Sequence, residues 1–441
     1  MYTRKIFLPV FVFALIVIGG CDMDVVNPNT ATEDEVLSDR DGLITLAVGA
    51  QQYHGTEFLG SAIVNTGLTA GEMGSTTTLA NYLEMERGTE SLPSLNANVN
   101  QVWSRPYRLM NMAEDLIDEV ENAGIAEETA NGMIALAHFH KAAALGAVAT
   151  AFEQGVLATE VSDRAEFHDR EQVLNEAITL LSEAIDLTEQ TEFSDAFYNE
   201  VLGSQFDLEN TLRVFIARFH LMQGNYSEAY DYANSADPSA TSLFTMDDRS
   251  PNVVYTLHSS GQLGYVAPRE NFGLGELIDE NDGRLDFFLS SSDASSDELG
   301  LPIDDLEGFF TSLSSDVPAY IPGEITLIKA EAQARMGGSS DDVIAYINEV
   351  RTKTADEDPL GIGADLPEYE GDTDTDSLLV EIFIQRSAEL FLTGQRLEDS
   401  RRFDRPGPGM LDEGNERNRN FYPYPQQERQ DNPNTPDNPA I

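Results

Sequence analysis

The pattern of apolar and polar positions predicts a chain built mainly of amphipathic helices. In EQVLNEAITLLSEAIDL, apolar residues recur three and four positions apart and form one stripe along a helix. Two further segments keep this period on both sides of a break, at Gly224-Asn225 and at Gly337-Gly338. Because glycine permits the turn that ends one helix, each segment predicts a close-packed antiparallel helix pair. Such pairs are typical of tetratricopeptide-like repeats.

The rest of the chain separates into helical and irregular parts. Further helices are predicted from Asp41 onward and at 103–120, 131–152 and 376–393. Residues 60–100 are rich in Gly, Thr, Ser and Asn, which favours an irregular, exposed segment. Residues 238–323 lose the helical period and gain Pro, Gly and Ser, which predicts a loop-rich insert with short strands. We therefore predict an all-α fold with minor β structure.

The N-terminus has the layout of an export signal. Arg4 and Lys5 precede an uncharged apolar run from Ile6 to Ile18, which is short for a helix that must span roughly 30 Å of hydrocarbon. Small residues then lead to Cys21, the only cysteine of the chain. The pattern resembles a bacterial lipoprotein signal, with Cys21 as lipid acceptor; the alternative is an anchor helix that happens to contain a cysteine. We predict a signal peptide at 1–20, a lipidated tether at 21–40 and one domain at 41–441.

The charge of the chain restricts its partners. There are 77 acidic residues against 26 basic ones, and the net charge is −51. This balance argues against binding to nucleic acid or to an anionic lipid surface, so membrane attachment is expected through the lipid anchor only. The acids are spread along the chain, and only four bases are lysines. The composition indicates either simple solubility or adaptation to high salt, in which repulsion between acids is screened.

The sequence offers no constellation of catalytic or cofactor-binding residues. His138 and His140 stand two positions apart, so on a helix they point to different faces, and no zinc-protease, serine-hydrolase or Walker A motif occurs. With so many acids, a pair of carboxylates is expected by chance and does not argue for a glycosidase. The stretch EGDTDTD could hold Ca²⁺ but lacks the EF-hand pattern, so a solvated loop is favoured. We predict no enzyme, no cofactor and no metal.

Several motifs together resemble the SusD/RagB family of surface lipoproteins. The segment EIFIQRSAELFLTGQRLEDSRR is similar to a C-terminal family helix, and YPYPQQERQDNPNTPDNPA is similar to the closing segment of the family. LIKAEAQARMGG and VWSRPYRLMNMAEDLIDEV resemble two earlier helices. In the C-terminal helix the matching residues include Arg386, Glu389, Arg396 and Asp399. Because the last three share about one helix face, we expect buried ion pairs there and no substrate site.

The resemblance implies both an architecture and a role. It implies about four tetratricopeptide-like helix pairs with a loop-rich ligand face, on a lipid-anchored protein of the outer membrane that faces the cell surface. It also implies that the protein binds a glycan, an oligosaccharide or a peptide and passes it to a TonB-dependent (SusC-like) transporter. The alternative is a helical-repeat adaptor lipoprotein that contacts other proteins of the envelope.

Candidate ligand contacts are expected on the irregular segments, because the aromatic residues of the helix pairs pack in the core. Sugars require a flat apolar face together with amide, hydroxyl or charged groups. Two stretches offer tyrosines among such groups, and the alternative is that these tyrosines only pack the loops down. The candidates are Glu72, Thr76, Thr77, Asn81, Tyr82, Tyr255, Tyr265, Arg269 and Asn271.

The lipoprotein interpretation predicts the behaviour of a Cys21→Ser variant. A serine cannot accept the thioether-linked lipid, so we expect an unprocessed precursor or a protein that is released from the membrane. Membrane fractionation of the full-length chain measures this, with Cys21 intact in the control. Normal retention of the variant would show that the apolar run itself is the anchor.

Overall fold

The computed structural model describes Leu37, residues 39–157 and residues 164–441, and helices make up most of it. The predicted signal peptide, Cys21 and most of the predicted tether lie outside these residues. The helices are α1 (Arg40–Tyr53), α2 (Leu59–Thr69), α3 (Ala80–Arg87), α4 (Ala97–Glu119), α5 (Glu127–Ala151), α6 (Arg170–Gln190), α7 (Leu208–Gln223), α8 (Tyr226–Ser235), α9 (Val253–His258), α10 (Gly283–Phe288), α11 (Gly323–Arg335), α12 (Ser340–Arg351), α13 (Thr375–Glu389), α14 (Arg396–Arg402) and α15 (Gln426–Asp431).

The long helices pack on one another in chain order and form the scaffold. Helix α4 packs on α5, α5 on α6, α6 on α7 and α7 on α8. Helix α8 then packs on α11, which also contacts α12 and α13, so the stack continues across the intervening insert. Helix α5 is long and apolar enough to cross a membrane. However, 83% of its most apolar 18-residue segment is buried within the protein, as in a core helix. The predicted all-α fold of helix pairs is confirmed.

The two glycine breaks end helices as the sequence predicts. Gly224 adopts a left-handed conformation with φ of 78°, and the Asn225 N–H donates to the His220 carbonyl at 2.9 Å. At the second break, Gly337 has φ of 73° and the Gly338 N–H donates to the Gln333 carbonyl at 2.9 Å. Both bonds satisfy carbonyls that a helix end leaves without a partner.

Residues 60–100 differ from the prediction of an irregular, exposed segment. Helices α2 and α3 and the start of α4 lie here, and most residues of α2 are buried. The small residues that suggested a loop serve instead for close packing: a side chain at Gly60 would collide with Val253. Buried polar groups of α2 find partners within the helix, since Asn65 donates to the Ser61 carbonyl at 2.8 Å. Small residues are therefore common to loops and to closely packed helices, and the prediction of an exposed loop is wrong where α2 lies.

The predicted last helix, 376–393, is also shorter than expected. Helix α13 ends at Glu389, and the following turn places Leu392 and Gly394 at φ of 53° and 82°. Helix α14 begins two residues later. This turn reverses the chain, so that the family motif is divided between two helices.

Short two-stranded sheets connect the loops to the scaffold. Residues 238–323 contain several of these strands, together with α9, α10 and 3₁₀ turns. All four pairs are antiparallel. They are β1 (Met73–Ser75) with β5 (Val266–Pro268), β2 (Gln154–Val156) with β3 (Phe167–Asp169), β4 (Leu243–Phe244) with β8 (Val317–Pro318), and β6 (Leu289–Ser290) with β7 (Asp305–Leu306).

Several of the few basic side chains are buried in ion pairs. Arg284 and Arg386 are 0% and 1% exposed, and each contacts a buried carboxylate at 2.7–2.8 Å. Arg269 is 4% exposed and contacts Glu86 at 2.8 Å. These arginines are paired with carboxylates inside the fold, so they do not neutralise acids on the surface.

We therefore expect a strong dependence of stability on salt. Raising NaCl from about 0.1 M to about 1 M shortens the Debye length from roughly 10 Å to roughly 3 Å, which screens repulsion among surface acids. The melting temperature of the soluble domain should rise over this range. An equal osmolality of sucrose is the control, because sucrose acts by exclusion without screening. A flat response to NaCl, or an equal response to sucrose, would contradict adaptation to high salt.

Candidate ligand-binding surface

The predicted ligand contacts lie on two segments, residues 72–82 and 255–271, and these segments meet at the β1–β5 strand pair. Met73 lies opposite Pro268, and Ser75 lies opposite Val266. Just beyond the strands, the Thr76 N–H donates to the Tyr265 carbonyl at 3.0 Å, and the Thr76 hydroxyl donates to the Gly264 carbonyl at 2.9 Å. Segments almost 190 residues apart in sequence therefore form one surface.

The strand pair brings Tyr82 and Tyr265 into contact. Their ring centroids are 5.2 Å apart and the ring planes are inclined by 47°. Tyr82 is 9% exposed, and Tyr265 is partly buried. Burial, followed by the neighbouring Tyr265, raises the pKa of the Tyr82 hydroxyl, so this phenol is a neutral hydrogen-bonding group at ordinary pH. We call these two residues the tyrosine pair.

Polar and apolar groups border the tyrosine pair. Asn81 is partly buried and donates to the Asn98 side-chain oxygen at 2.8 Å, and Asn98 donates in turn to Asn65 at 2.9 Å. Thr77 lies in the loop between β1 and α3 and is partly buried. Leu79 and Leu263 are 44% and 47% exposed on the same two segments. The surface therefore combines aromatic and aliphatic faces with hydroxyl and amide groups.

Two of the predicted contacts are corrected by their burial. Glu72 is 1% exposed; it accepts the Leu392 N–H at 3.2 Å and lies 4.0 Å from Arg396. Arg269 is 4% exposed and contacts Glu86 and Asp297. Both side chains are enclosed in the structure and cannot reach a ligand on the surface. In a chain with so many acids, the sequence gives no sign of which charged residues are buried.

Tyr255 and Asn271 lie at either side of this region. Tyr255 is on α9, and near the end of this helix the Leu257 carbonyl accepts the Tyr265 N–H at 2.7 Å. Asn271 lies past the other end of β5, in a turn where its φ is 54°. The β1–β5 pair therefore brings together Thr76, Thr77, Asn81, Tyr82 and Tyr265, and it separates Asn271 from them.

Sequence reasoning missed three neighbours of the tyrosine pair. Leu79 and Leu263 are exposed there, although isolated leucines in loops carry no sequence signal. Arg105, on α4, is close enough for its charge to favour ionisation of Tyr82, an effect smaller than that of burial. Its guanidinium contacts Glu57 at 2.6 Å.

Other concave regions occur among the described residues, including an enclosed cavity and an open groove. A cavity of about 110 Å³ lies between α2, α4, α5 and α7 and is lined mainly by apolar side chains. An open groove of about 640 Å³ lies between the end of α6 and the start of α7. Tyr198 is 46% exposed in this groove, and burial together with Asp207, Glu209 and Glu192 raises the pKa of its hydroxyl. The groove was not predicted from the sequence.

Comparison with known proteins finds a family similarity in the C-terminal part of the chain. The model of the SusD family matches residues 314–440. The resemblance to the SusD/RagB family is confirmed. The remainder of the chain shares the fold of solved SusD structures, at sequence identities that establish the fold alone. No curated protein sequence matches the chain.

Three similar structures illustrate the shared fold. A SusD superfamily protein from Bacteroides thetaiotaomicron has a TM-score of 0.69 and 16% identity, over 91% of this chain and 99% of that chain. A SusD-like carbohydrate binding protein from Bacteroides vulgatus has a TM-score of 0.63 and 16% identity, over 82% and 83%. NanU from Bacteroides fragilis has a TM-score of 0.65 and 14% identity, over 93% and 99%.

The SusD motif residues near the C-terminus form buried ion pairs, as predicted. Arg386 donates to both oxygens of Asp399, at 2.8 and 3.1 Å. Although burial opposes the effect, Arg386 and Arg402 lower the pKa of Asp399. Glu389, 0% exposed, contacts Arg284 at 3.2 Å and Lys353 at 2.8 Å. These residues fix the fold of this SusD-like protein and lie apart from its candidate ligand surface.

Proposed function

We propose that this SusD-like chain is a cell-surface lipoprotein that binds a nutrient and delivers it to a TonB-dependent outer-membrane transporter. The family match at residues 314–440 supports the general role, and one similar structure is described as a carbohydrate binding protein. The lipoprotein-like signal at Cys21 supports a location on the outer membrane, facing the cell surface. The role is one of binding and has no catalytic step.

The contact between Tyr82 and Tyr265 is the main support for the proposed ligand site. Two aromatic rings, one on α3 and one in the loop before β5, lie 5.2 Å apart and form a small platform on a rigid helical scaffold. Thr76, Thr77 and Asn81 place hydroxyl and amide groups beside it. Such a platform suits the C–H face of a sugar ring and its hydroxyl groups.

The size of the platform limits the class of ligand. The single tryptophan, Trp103, is 6% exposed and donates to Glu428 at 3.1 Å, so it belongs to the core. A short oligosaccharide fits a platform of two tyrosines better than a long polymer does. A peptide with an apolar side chain would also use the exposed Leu79 and Leu263.

The proposed site predicts the behaviour of Tyr82→Ala and Tyr265→Ala. Each should weaken binding about tenfold, or about 1.4 kcal/mol, because each removes one apolar face. Glycan and peptide arrays in molar salt identify a probe, and calorimetry with that probe gives the affinity. Tyr198→Ala, in the open groove between α6 and α7, is the matched control and should bind normally.

Three results would contradict this placement. Normal binding by both tyrosine variants would show that the ligand does not bind at the β1–β5 surface. Loss of binding in Tyr198→Ala would show that it binds in the open groove between α6 and α7. A large fall in the melting temperature of both variants would show that the tyrosine pair only packs the loops together.

The transport role predicts a specific partner. Affinity purification of the lipidated protein from mild detergent should recover a TonB-dependent barrel of the SusC type. The Cys21→Ser protein, purified in the same way, controls for capture that does not depend on the membrane. Repeated recovery of a soluble envelope protein in place of a barrel would favour the adaptor function.

A further inference from the structure

Three charged side chains are buried together near the elements that carry the tyrosine pair. Glu86, Arg269 and Asp297 are 0%, 4% and 7% exposed. Arg269 donates through one terminal nitrogen to Glu86 at 2.8 Å, and its other terminal nitrogen lies 2.8 Å from Asp297. We call these residues the buried triad. It contains two carboxyl groups but only one cation.

The hydrogen-bonding pattern of the buried triad indicates a bound proton. Glu86 Oε2 is buried and accepts no hydrogen bond from the described residues, whereas Asp297 Oδ2 lies 2.8 Å from the Arg269 guanidinium. The two carboxyl groups contact the two terminal nitrogens of the same guanidinium, so they lie side by side in the buried triad. Two ionised carboxylates would repel one another, whereas one proton between them gives Glu86 Oε2 a partner and makes the triad neutral.

The buried triad connects the elements that carry the tyrosine pair. Glu86 follows Tyr82 by four residues, one helical turn along α3, and Arg269 follows Tyr265 by four residues at the end of β5. Asp297 lies on a third segment, where its side chain accepts the Leu299 and Leu301 N–H groups at 2.9 Å each.

The backbone of β1 leaves room for the Asp297 carboxyl group. Gly74, in β1, lies so close to Asp297 that any side chain there would collide with its carboxyl group. The neighbouring Glu298 N–H donates to the Ser75 carbonyl at 2.9 Å, which ties the Asp297 segment to β1. Helix α3, both strands and the Asp297 segment therefore converge on the triad.

We propose that Glu86 and Asp297 share one proton and act with Arg269 as positioning residues, so that loss of this proton loosens the tyrosine pair and weakens ligand binding. The inference rests on the proposed function for its effect on binding. Its structural part, a proton held beneath the surface, is independent of any ligand.

The surrounding charges favour retention of the proton near neutral pH. Burial, followed by repulsion from Asp297, raises the pKa of Glu86 to about 8, although Arg269 opposes the shift. Asp412 also acts on Arg269 and adds negative charge on the side of the C-terminal segment. The Ser75 backbone N–H, from β1, faces Glu86 and favours its charged form, and this effect is too small to reverse the shift.

The sign of the pH dependence follows from the raised pKa. Between pH 4.5 and about 8 the folded protein holds a proton that the unfolded chain has released. The free energy of unfolding therefore falls as pH rises through this interval. Above about pH 8 the triad carries an uncompensated charge, and the tyrosine pair should lose its fixed geometry.

The test uses Glu86→Gln, which keeps the shape and replaces the shared proton with an amide that cannot ionise. In the wild type, infrared spectroscopy should detect the carbonyl band of a protonated carboxylic acid, and this band should disappear as pH passes 8. The band should be absent from the variant. Between pH 6 and 8 its melting temperature should also fall less than that of the wild type. Glu90→Gln, at an exposed glutamate nearby, is the matched control and should behave as the wild type.

Binding supplies the second measurement. With the probe found on the arrays, affinity of the wild type should fall about tenfold between pH 7 and 9, as the protonated fraction falls, while Glu86→Gln should bind equally at both. If Glu86→Gln does not fold, Asp297→Asn makes the same substitution on the partner. The same band and pH profile in variant and wild type would overturn the proposal. Such a result would leave the proposed ligand site standing, because that site is tested by the tyrosine variants.

Discussion

The fold depends on ion pairs buried where α11, α13 and α14 meet. Glu331 accepts two hydrogen bonds from Arg402, at 2.7 and 2.9 Å, and one from Arg335 at 2.8 Å. Asp399 accepts from both Arg386 and Arg402. A buried ion pair contributes little net stability while intact, but removal of one partner leaves an uncompensated charge and is strongly destabilising. The network therefore determines where the C-terminal helices can lie, and it connects the end of the chain to the stack.

A second group of ion pairs fixes the insert to the same helices. Glu389, on α13, contacts Arg284 at the start of α10 and Lys353 beyond α12. A side chain at Gly323 would occupy the position of the Glu389 carboxylate, so α11 can approach closely only because this residue is glycine. The loop-rich insert is thus held by charges in the scaffold, and the β1–β5 pair is held with it. This rigidity allows Tyr82 on α3 and Tyr265 in the loop before β5 to stay in contact.

The burial of several arginines leaves fewer basic side chains to pair with acids on the surface. A chain with 26 bases and 77 acids places several of its bases inside, where each neutralises a buried carboxylate. The acids outside are left with few partners of opposite charge. The acidic shell and the ion-paired interior are therefore two aspects of one distribution of charge. The buried triad is an exception within the interior, because there a proton takes the place of a second base.

The sequence alone determined the helix pairs, the turns at Gly224 and Gly337 and the resemblance to the SusD family, because periodicity, helix ends and motif order are local properties of the chain. It also predicted that Glu389, Arg396 and Asp399 would be buried, since their spacing places them on about one helix face. It could not show that residues 59–69 form a packed helix, because small residues are common to loops and to close helix contacts. Only the tertiary structure decided that Glu72 and Arg269 are enclosed while Tyr82 and Tyr265 meet. Burial and contact between distant segments depend on how β1 pairs with β5, and no local pattern in the chain records that pairing.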